Sequence, residues 1–411
     1  MARTIVILAA GSRGDVQPCV ALARGLAARG NAVRLIIAAG HESLAAGLDT
    51  AVLSVDPARL LETDEVREWL LGGRNPVRFV SGFKRLIRPM AEMLLEEIRS
   101  ASKDADLLLC PTLGFIGHHL AEYLHVDEAL IHFQPSHPTS AFPHPLVRRA
   151  FGAERLSFHL VDQIAWQLGR PIVDPWRRDA LGLPKLSMRG PMRRIRDVPV
   201  LACFSDAIVP RPPDWPPSVH VTGYWFLDEP SWTPDPRLTD FLASGPPPVY
   251  AGFGSMVPRD PEAAFRTIRA ALRVAGVRGI VAFGEYEDAD DDILVVRDVP
   301  HSWLFPQTLA VVHHGGAGTT AAALRAGIPA VICPFFGDQP FWGDRVAAIG
   351  AGPPPLPIKR LGPGTLAERI TTTVRDGAMR RRAALIGRRI AAEDGVGRAC
   401  AALDGPGGIT T

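Results

Sequence analysis

The chain has no surplus of either charge: 45 Lys and Arg stand against 43 Asp and Glu, a formal net of +2. A field that weak leaves no broad basic footprint and argues against a nucleic-acid partner. Cysteine is scarce and odd in number, five in 411 residues at 19, 110, 203, 333 and 400 with no CxxC pair. That excludes a disulfide framework and a thiolate metal site, and it fits reduced thiols in a cytosol. No apolar run reaches the ~18 residues that span a bilayer. Residues 1–10 lead straight into a strand pattern with no layout of a cleavable signal, so the expected location is cytoplasmic. Charged residues at 21% and apolar residues at 47% exclude a disordered or collagenous chain and supply an ordinary globular core.

What is present is an alternation. The β-branched run TIVILAA at 4–10 is followed by GSRGDVQP, by CVALARGLAARG at helical spacing, and by AVRLIIAAG at 32–40. This predicts a strand, a loop, a helix starting near Pro18, and a second strand. The grammar recurs in a helix over 84–100, DLLLC at 106–110, a helix over 115–124 and EALIHF at 128–133. Strands alternating with helices predict an α/β fold with a parallel sheet covered on both faces. Between 208 and 248 proline accumulates (PRPPDWPP, DEPSWTPDP, SGPPP), where helices and central strands reject it. This predicts an interdomain linker over 209–248 around a short strand, VHVTGY. The alternation then restarts with PVYAGFGS, a helix over 261–275, RGIVAFG, ILVVRDV, LAVVHH, a helix over 317–327 and PAVICPF. The expected architecture is two Rossmann-like doubly wound domains, 1–208 and 249–411, with a ligand cleft between the carboxyl ends of their strands. An Arg-rich last helix over about 377–403 either packs on its own domain or returns to the first.

The densest chemistry lies in VVHHGGAGTTAAALRAGIPAVICPFFGDQPFWGDR at 311–345. An apolar strand ends at His313 and His314, the turn Gly315, Gly316, Ala317, Gly318 follows, and Thr319 and Thr320 open an amphipathic helix. Free peptide N–H groups and the positive end of the helix dipole form a phosphate site there, and glycines let the backbone approach the anion. The same residues also serve as a tight turn with threonine as N-cap. After the next strand, Asp338 and Gln339 set a carboxylate beside an amide, a pair suited to adjacent sugar hydroxyls; alternatively Asp338 caps a helix beginning near Pro340.

In the first half, GSRGD places Asp15 at the carboxyl end of the first strand. A carboxylate there takes a proton from a hydroxyl nucleophile, caps the following helix, or does both. The G-x-x-G spacing departs from the dinucleotide fingerprint and no acid closes the next strand, which argues against a nicotinamide cofactor. The acidic run at 285–292 reads as solvated surface rather than a metal site. HFQPSHPTSAFPHP at 132–145 carries His132, His137 and Phe142, which with Phe79, Phe83 and Trp69 are candidates to border an acceptor with an apolar body. An exposed proline-rich loop and core packing are the competing readings.

HHGGAGTTAAALRAG with PFFGDQPFWG, paired with GSRGDVQP near the start, resembles the donor-binding signature of family 1 nucleotide-sugar glycosyltransferases of the GT-B fold. It is most similar to the sterol 3-β-glucosyltransferase-like branch and to bacterial enzymes that glycosylate natural products, the vancomycin group among them. The resemblance implies that His314 and the amides of Gly316, Ala317, Gly318 and Thr319 hold the donor diphosphate, and that Asp338 and Gln339 hold the sugar hydroxyls. FGSM at 253–256 is similar to the first loop of the family's C-terminal domain, making Ser255 a second phosphate contact. DVPHSWLFP at 298–306 is similar to the segment that receives the base, through Val299 and His301; where plant members place a tryptophan, this sequence has Asp298. Asp15 matches the aspartate of the vancomycin-group motif, with Ser12, Arg13 and Gly14 on the acceptor side.

The activity implied is an inverting transfer of a hexose to a hydroxyl of a lipophilic acceptor: a sterol, polyketide, terpenoid or glycopeptide. UDP-glucose is the favoured donor and a thymidine diphosphate sugar the other. Neither a metal nor another cofactor is implied. A nucleotide-sugar epimerase and a noncatalytic sugar-nucleotide-binding protein are the alternatives, and Asp15 speaks against the second. Arg193, Arg194 and Arg196 read as a solvated basic loop or as a weak contact with anionic headgroups.

Overall fold

The computed structural model describes residues 2–54, 88–111, 115–149, 152–228, 232–254, 256, 260–283 and 291–404. The chain separates into two compact units, one of residues 1–203, 211–227 and 394–411, the other of 204–210 and 228–393.

In the first unit the elements run β1 (Thr4–Ala9), α1 (Arg13–Ala28), β2 (Ala32–Ala38), β3 (Asp49–Leu53), α2 (Arg88–Ala101), β4 (Leu107–Pro111), α3 (Phe115–Leu124), β5 (Asp127–His132), α4 (Glu154–Asp179), α5 (Met192–Ile195), β6 (Val200–Ala202) and β7 (Val219–Val221). Seven strands, all parallel, take the order β3-β2-β1-β4-β5-β6-β7. The apolar runs are continuous because both faces of the sheet are covered. Ile5, Ile7, Leu35, Ile37, Leu107 and Leu109 face one core, while Val6, Ile36 and Leu108 between them face the other.

The second unit runs α6 (Pro236–Ala243), β8 (Val249–Gly252), α7 (Pro261–Ala275), β9 (Gly279–Ala282), β10 (Ile293–Val296), α8 (His301–Leu304), β11 (Ala310–His313), α9 (Ala317–Arg325), β12 (Ala330–Ile332), α10 (Gln339–Ala348), α11 (Pro363–Arg375) and α12 (Gly377–Ala391). Its five parallel strands are ordered β10-β9-β8-β11-β12. The α/β class and the doubly wound parallel sheets are thus those expected. All five cysteines are buried and free, and among the described residues no helix is long and apolar enough to cross a membrane.

Three local boundaries differ from expectation. The first helix starts at Arg13, not near Pro18, because Ser12 and Asp15 close its first turn on each other. Of the proline-rich stretch, 211–227 lie in the first unit and 228–248 in the second. There β7 is an edge strand, the one place in a sheet where flanking prolines cost no ladder bond. The last predicted helix is two, α12 and α13 (Gly395–Asp404).

Asp394 makes that break by accepting from the Gly397 amide at 2.8 Å. Helix α13 then joins the first unit, where Ala399, Cys400 and Leu403 enter the same core as Cys19, Leu22 and Leu26 of α1. Gly395 makes the approach possible: a Cβ there would collide with the carbonyl group of Tyr224. Gly395→Val is therefore expected to lower the unfolding free energy by about 1–3 kcal/mol, read from urea denaturation. A change below about 0.5 kcal/mol, the range of inert surface substitutions, contradicts the docking.

Candidate active site

Both sheets reverse their strand order once, between β1 and β4 in the first unit and between β8 and β11 in the second. At such a point the loops leaving neighbouring carboxyl ends diverge and open a crevice.

In the first unit the loop after β1 delivers Ser12 as N-cap of α1 and Asp15 in its first turn. Asp15 Oδ2 accepts from both the Ser12 amide and the Ser12 hydroxyl at 2.8 Å, and Oδ1 accepts from no described residue. The carboxyl group folds back so tightly that a Cβ on Gly11 would lie 2.6 Å from Oδ2, so only glycine fits. Burial raises the Asp15 pKa above the usual carboxylate value, against the Ser12 hydrogen bonds and the nearby His41. The result is a carboxylate of increased basicity with one oxygen fixed. Asp15 therefore does not N-cap α1; that position belongs to Ser12. Arg13 is half-buried and Gly14 exposed at the same helix start.

The segment after β5 is an interior wall, not a solvated strap. The Trp215 indole donates to the His137 carbonyl at 3.1 Å, the Thr139 hydroxyl to Asp214 at 2.6 Å, and the Ser157 hydroxyl accepts from the His144 amide at 2.8 Å. The rings of Phe142 and His144 lie 6.5 and 5.1 Å from Phe158. His132, His137 and His144 are buried, and burial pushes their pKa values down to about 3, 4 and 4. Phe79, Phe83 and Trp69 lie outside the described residues.

In the second unit the register pairs His313 with Gly252 on one side and Ile332 on the other, so the loops after β8, β11 and β12 emerge side by side. His313 is fully buried, its Nδ1 accepting from the Gly315 amide at 3.1 Å. His314 is half-buried. A Cβ on Gly316 would lie 2.5 Å from its Nε2 and one on Gly254 would lie 3.4 Å from its Cε1, so the ring sits between the first loop of this unit and the start of α9. Its Nδ1 is buried without a partner, and burial lowers its pKa to about 4. Helix α9 begins at Ala317 behind Gly316, which has no side chain to cap it. The peptide N–H groups of Ala317, Gly318 and Thr319 consequently have no acceptor within the helix. Neither threonine is the N-cap; Thr320, fully buried, turns its hydroxyl back onto the Gly316 carbonyl at 2.9 Å.

Asp338 precedes α10 but makes no side-chain cap. Its Oδ2 instead accepts from the Trp342 indole at 2.8 Å, and that indole is fully buried with Phe204 at 6.5 Å. Gln339 is buried, its Oε1 accepting from the amides of Phe335 and Phe336 at 2.8 and 3.3 Å. Two N–H donors fix the oxygen of this amide, leaving its NH2 as the end able to meet a hydroxyl. His301 is committed to an aromatic cluster, stacked on Phe305 at 4.3 Å and 3.5 Å from the Tyr250 hydroxyl. Val299 is half-buried just ahead of it, and Ser255 lies outside the described residues. His41 and Trp342 were missed at the sequence level. His41 follows the carboxyl end of β2, the strand beside β1, and Trp342 lies one helical turn beyond Asp338; both spacings carry the signal.

Residues 284–396 match the family described as erythromycin biosynthesis protein CIII-like, C-terminal domain, and residues 5–95 match the glycosyltransferase family 28 N-terminal domain. The O-mycaminosyltylonolide 6-deoxyallosyltransferase of Streptomyces fradiae is 37% identical over 416 residues, 97% of this chain and 96% of that enzyme. Sterol 3-beta-glucosyltransferases of Arabidopsis thaliana and Emericella nidulans are each 35% identical across 97% of the chain, which spans 65% and 30% of their lengths. Among solved structures, the calicheamicin glycosyltransferase CalG4 superposes with a TM-score of 0.70 over 98% of both chains at 18% identity. Glycosyltransferase VinC in complex with dTDP superposes with a TM-score of 0.64 over 95% of this chain and 96% of that one at 18% identity. At such identities the likeness concerns the fold.

The buried neutral imidazoles set a pH dependence. His132, His137, His144 and His314 have folded pKa values of about 3 to 4 against 6.5 when unfolded. Unfolding therefore takes up protons as pH falls below 6.5, and stability is lost from there down to about pH 4. Asp15, shifted upward, contributes in the opposite sense and is outnumbered. The unfolding temperature is expected to drop steadily across this window; a profile flat down to about pH 4 contradicts the neutral buried state.

Proposed function

Because this chain belongs to the GT-B glycosyltransferases and is thus a sugar-transferring enzyme, we propose that it moves a hexose from a nucleoside diphosphate sugar to a hydroxyl of a lipophilic acceptor, with inversion at the anomeric carbon. The observation that carries this reading is the uncapped start of α9 beside a neutral His314, with Asp338 and Gln339 on the adjoining loop. Three outward peptide N–H groups and a helix dipole suit a diphosphate. The single N–H of the neutral imidazole gives a further donor. A carboxylate oriented by Trp342, with an amide whose NH2 remains to donate, suits adjacent hydroxyls of a sugar.

Asp15 supplies the base. Its Oδ1 takes the acceptor proton as the hydroxyl oxygen bonds to the anomeric carbon. The bond from that carbon to the diphosphate breaks on the opposite side, and its electron pair passes to the diphosphate, whose charge the α9 amides receive. These amides offset the charge that a divalent cation would otherwise meet, so the reading is metal-independent. UDP-glucose is the favoured donor, and the sterol 3-beta-glucosyltransferase names among the relatives support its glucosyl part. A thymidine diphosphate sugar is the second, supported by the nucleotide bound to VinC. The acceptor class spans sterols and macrolides, as in the names of the two kinds of relative.

A donor-by-acceptor screen read by mass tests the reading. The product gains one hexose, and nucleoside diphosphate is released only when acceptor is present; donor conversion without acceptor would instead identify an epimerase. Asp15→Asn keeps an oxygen for the Ser12 donors and removes the burial penalty on charge. It is expected to lower kcat by about 10²- to 10⁴-fold with donor KM little changed and the unfolding temperature at or above that of the wild type. Full activity in this variant removes Asp15 as the base. Chelation with excess EDTA is expected to leave turnover unchanged, and a loss restored by Mg²⁺ overturns the metal-independent reading.

A further inference from the structure

Helix α4 is apolar on two faces. One face, with Phe158, Trp166, Val173 and Trp176, is buried in the first unit. Along the other, Leu156, Leu160, Ile164 and Leu168 recur every fourth residue and are 63%, 57%, 52% and 54% exposed. Met188, 61% exposed, extends the stripe sideways; the Gln163 and Gln167 amides hold it there by donating to its carbonyl at 2.9 and 2.6 Å. A helix of this kind needs cover on both sides, and a contiguous apolar patch on a soluble protein marks a contact surface.

The rim of the stripe identifies the cover. From 148 to 196 the sequence holds eleven Lys or Arg and four Asp or Glu, a surplus of seven in a chain whose whole surplus is two. Three of the acids are neutralised in place: Asp162 by Arg196 at 2.9 Å, Asp174 by Arg170 at 2.9 Å and Asp179 by Arg178 at 2.7 Å. Arg148, Arg149, Lys185, Arg189 and Arg193 are exposed and pair with no carboxylate among the described residues. The Arg196–Asp162 pair and the Gln–Met188 bonds tie the segment bearing Lys185, Arg189 and Arg193 to the flank of α4.

We propose that this face docks on an anionic lipid surface. Helix α4 lies in the headgroup plane with its four aliphatic side chains at the acyl boundary and the unpaired arginines on lipid phosphates. A planar guanidinium suits phosphate in two-pronged contact, and of the five exposed cations just named four are arginine. A second copy fits worse, since a two-fold contact through the stripe would set the same cationic rim against itself. The surface does not involve the donor loops and does not depend on the transferase reading.

Vesicle flotation without donor or acceptor tests it, so a failure here leaves that reading intact. The full chain is mixed with phosphatidylcholine vesicles, either pure or containing about one-third phosphatidylglycerol, in low salt and at about 1 M salt. Binding is expected to the anionic vesicles alone and to fall at least about tenfold at high salt. Leu160→Gln with Ile164→Gln, and separately Arg189→Gln with Arg193→Gln, are each expected to weaken it at least about fivefold at an unchanged unfolding temperature. Absence of binding to anionic vesicles, or a loss caused by only one pair or by neither, overturns the proposal. So does a Leu160→Gln, Ile164→Gln variant that turns an oligomer into a monomer in sedimentation, which assigns the stripe to a second copy.

Discussion

An uncapped helix start is the constraint around which the second unit is arranged. Helices α6, α7 and α12 of this unit bring the carboxylates of Asp235, Asp260 and Asp376 to their first amides; α9 brings Gly316, which has no side chain. The preceding residues keep competing acceptors away. His313 turns its Nδ1 onto the Gly315 amide, and Thr320 spends its hydroxyl on the Gly316 carbonyl, not on an N–H. Gly315 adopts a φ of +92° in a place where a Cβ would strike Ile332 and Gln339. That backbone conformation draws the loops after β11 and β12 together, and Gln339 braces the second by holding the Phe335 and Phe336 amides. The three N–H donors thus have no acceptor within the helix, while the His313 Nδ1, the Thr320 hydroxyl and the Gln339 oxygen beside them are engaged elsewhere in the two loops.

The first unit solves a related problem with the opposite charge. For the proposed role of Asp15 as base, basicity and a fixed position conflict, because hydrogen bonds that position a carboxylate also lower its proton affinity. The structure separates them by oxygen. Oδ2 takes both Ser12 contacts, and burial outweighs their effect on the group as a whole. The same contacts close the first turn of α1, so the geometry of this carboxylate and the start of the helix are one arrangement.

Much of this was legible in the sequence because parallel α/β sheets write themselves as apolar runs separated by helical spacing. TIVILAA, AVRLIIAAG and LAVVHH all became strands, and the loops after β1 and β11 begin where those apolar runs end. Side-chain commitments were not legible. Nothing in HHGGAG says that His313 serves the loop while His314 keeps a partnerless Nδ1 between two loops; that follows from which ring the sheet register buries. For the proline-rich histidine segment the sequence left an exposed loop and an acceptor-bordering wall both open, because its composition is that of a loop; Trp215, far along the chain, and Phe158 bury it. Position alone left Asp338 either a hydroxyl-binding group or a helix cap, and only the placement of Trp342 shows that its Oδ2 does not cap α10. Periodicity reports which face is buried, not what a polar group meets there.

The return of α13 to the first unit has a consequence for how the protein is made. Residues 394–404 emerge from the ribosome after the whole of the second unit, yet they complete the core formed by α1 near the opposite end of the chain. Until they arrive, Leu22, Leu26 and the groove at Gly25 that receives Val396 lack their covering wall. The core around α1 is therefore completed only once residues 394–404 are made, and until then its apolar seam stays without its α13 cover.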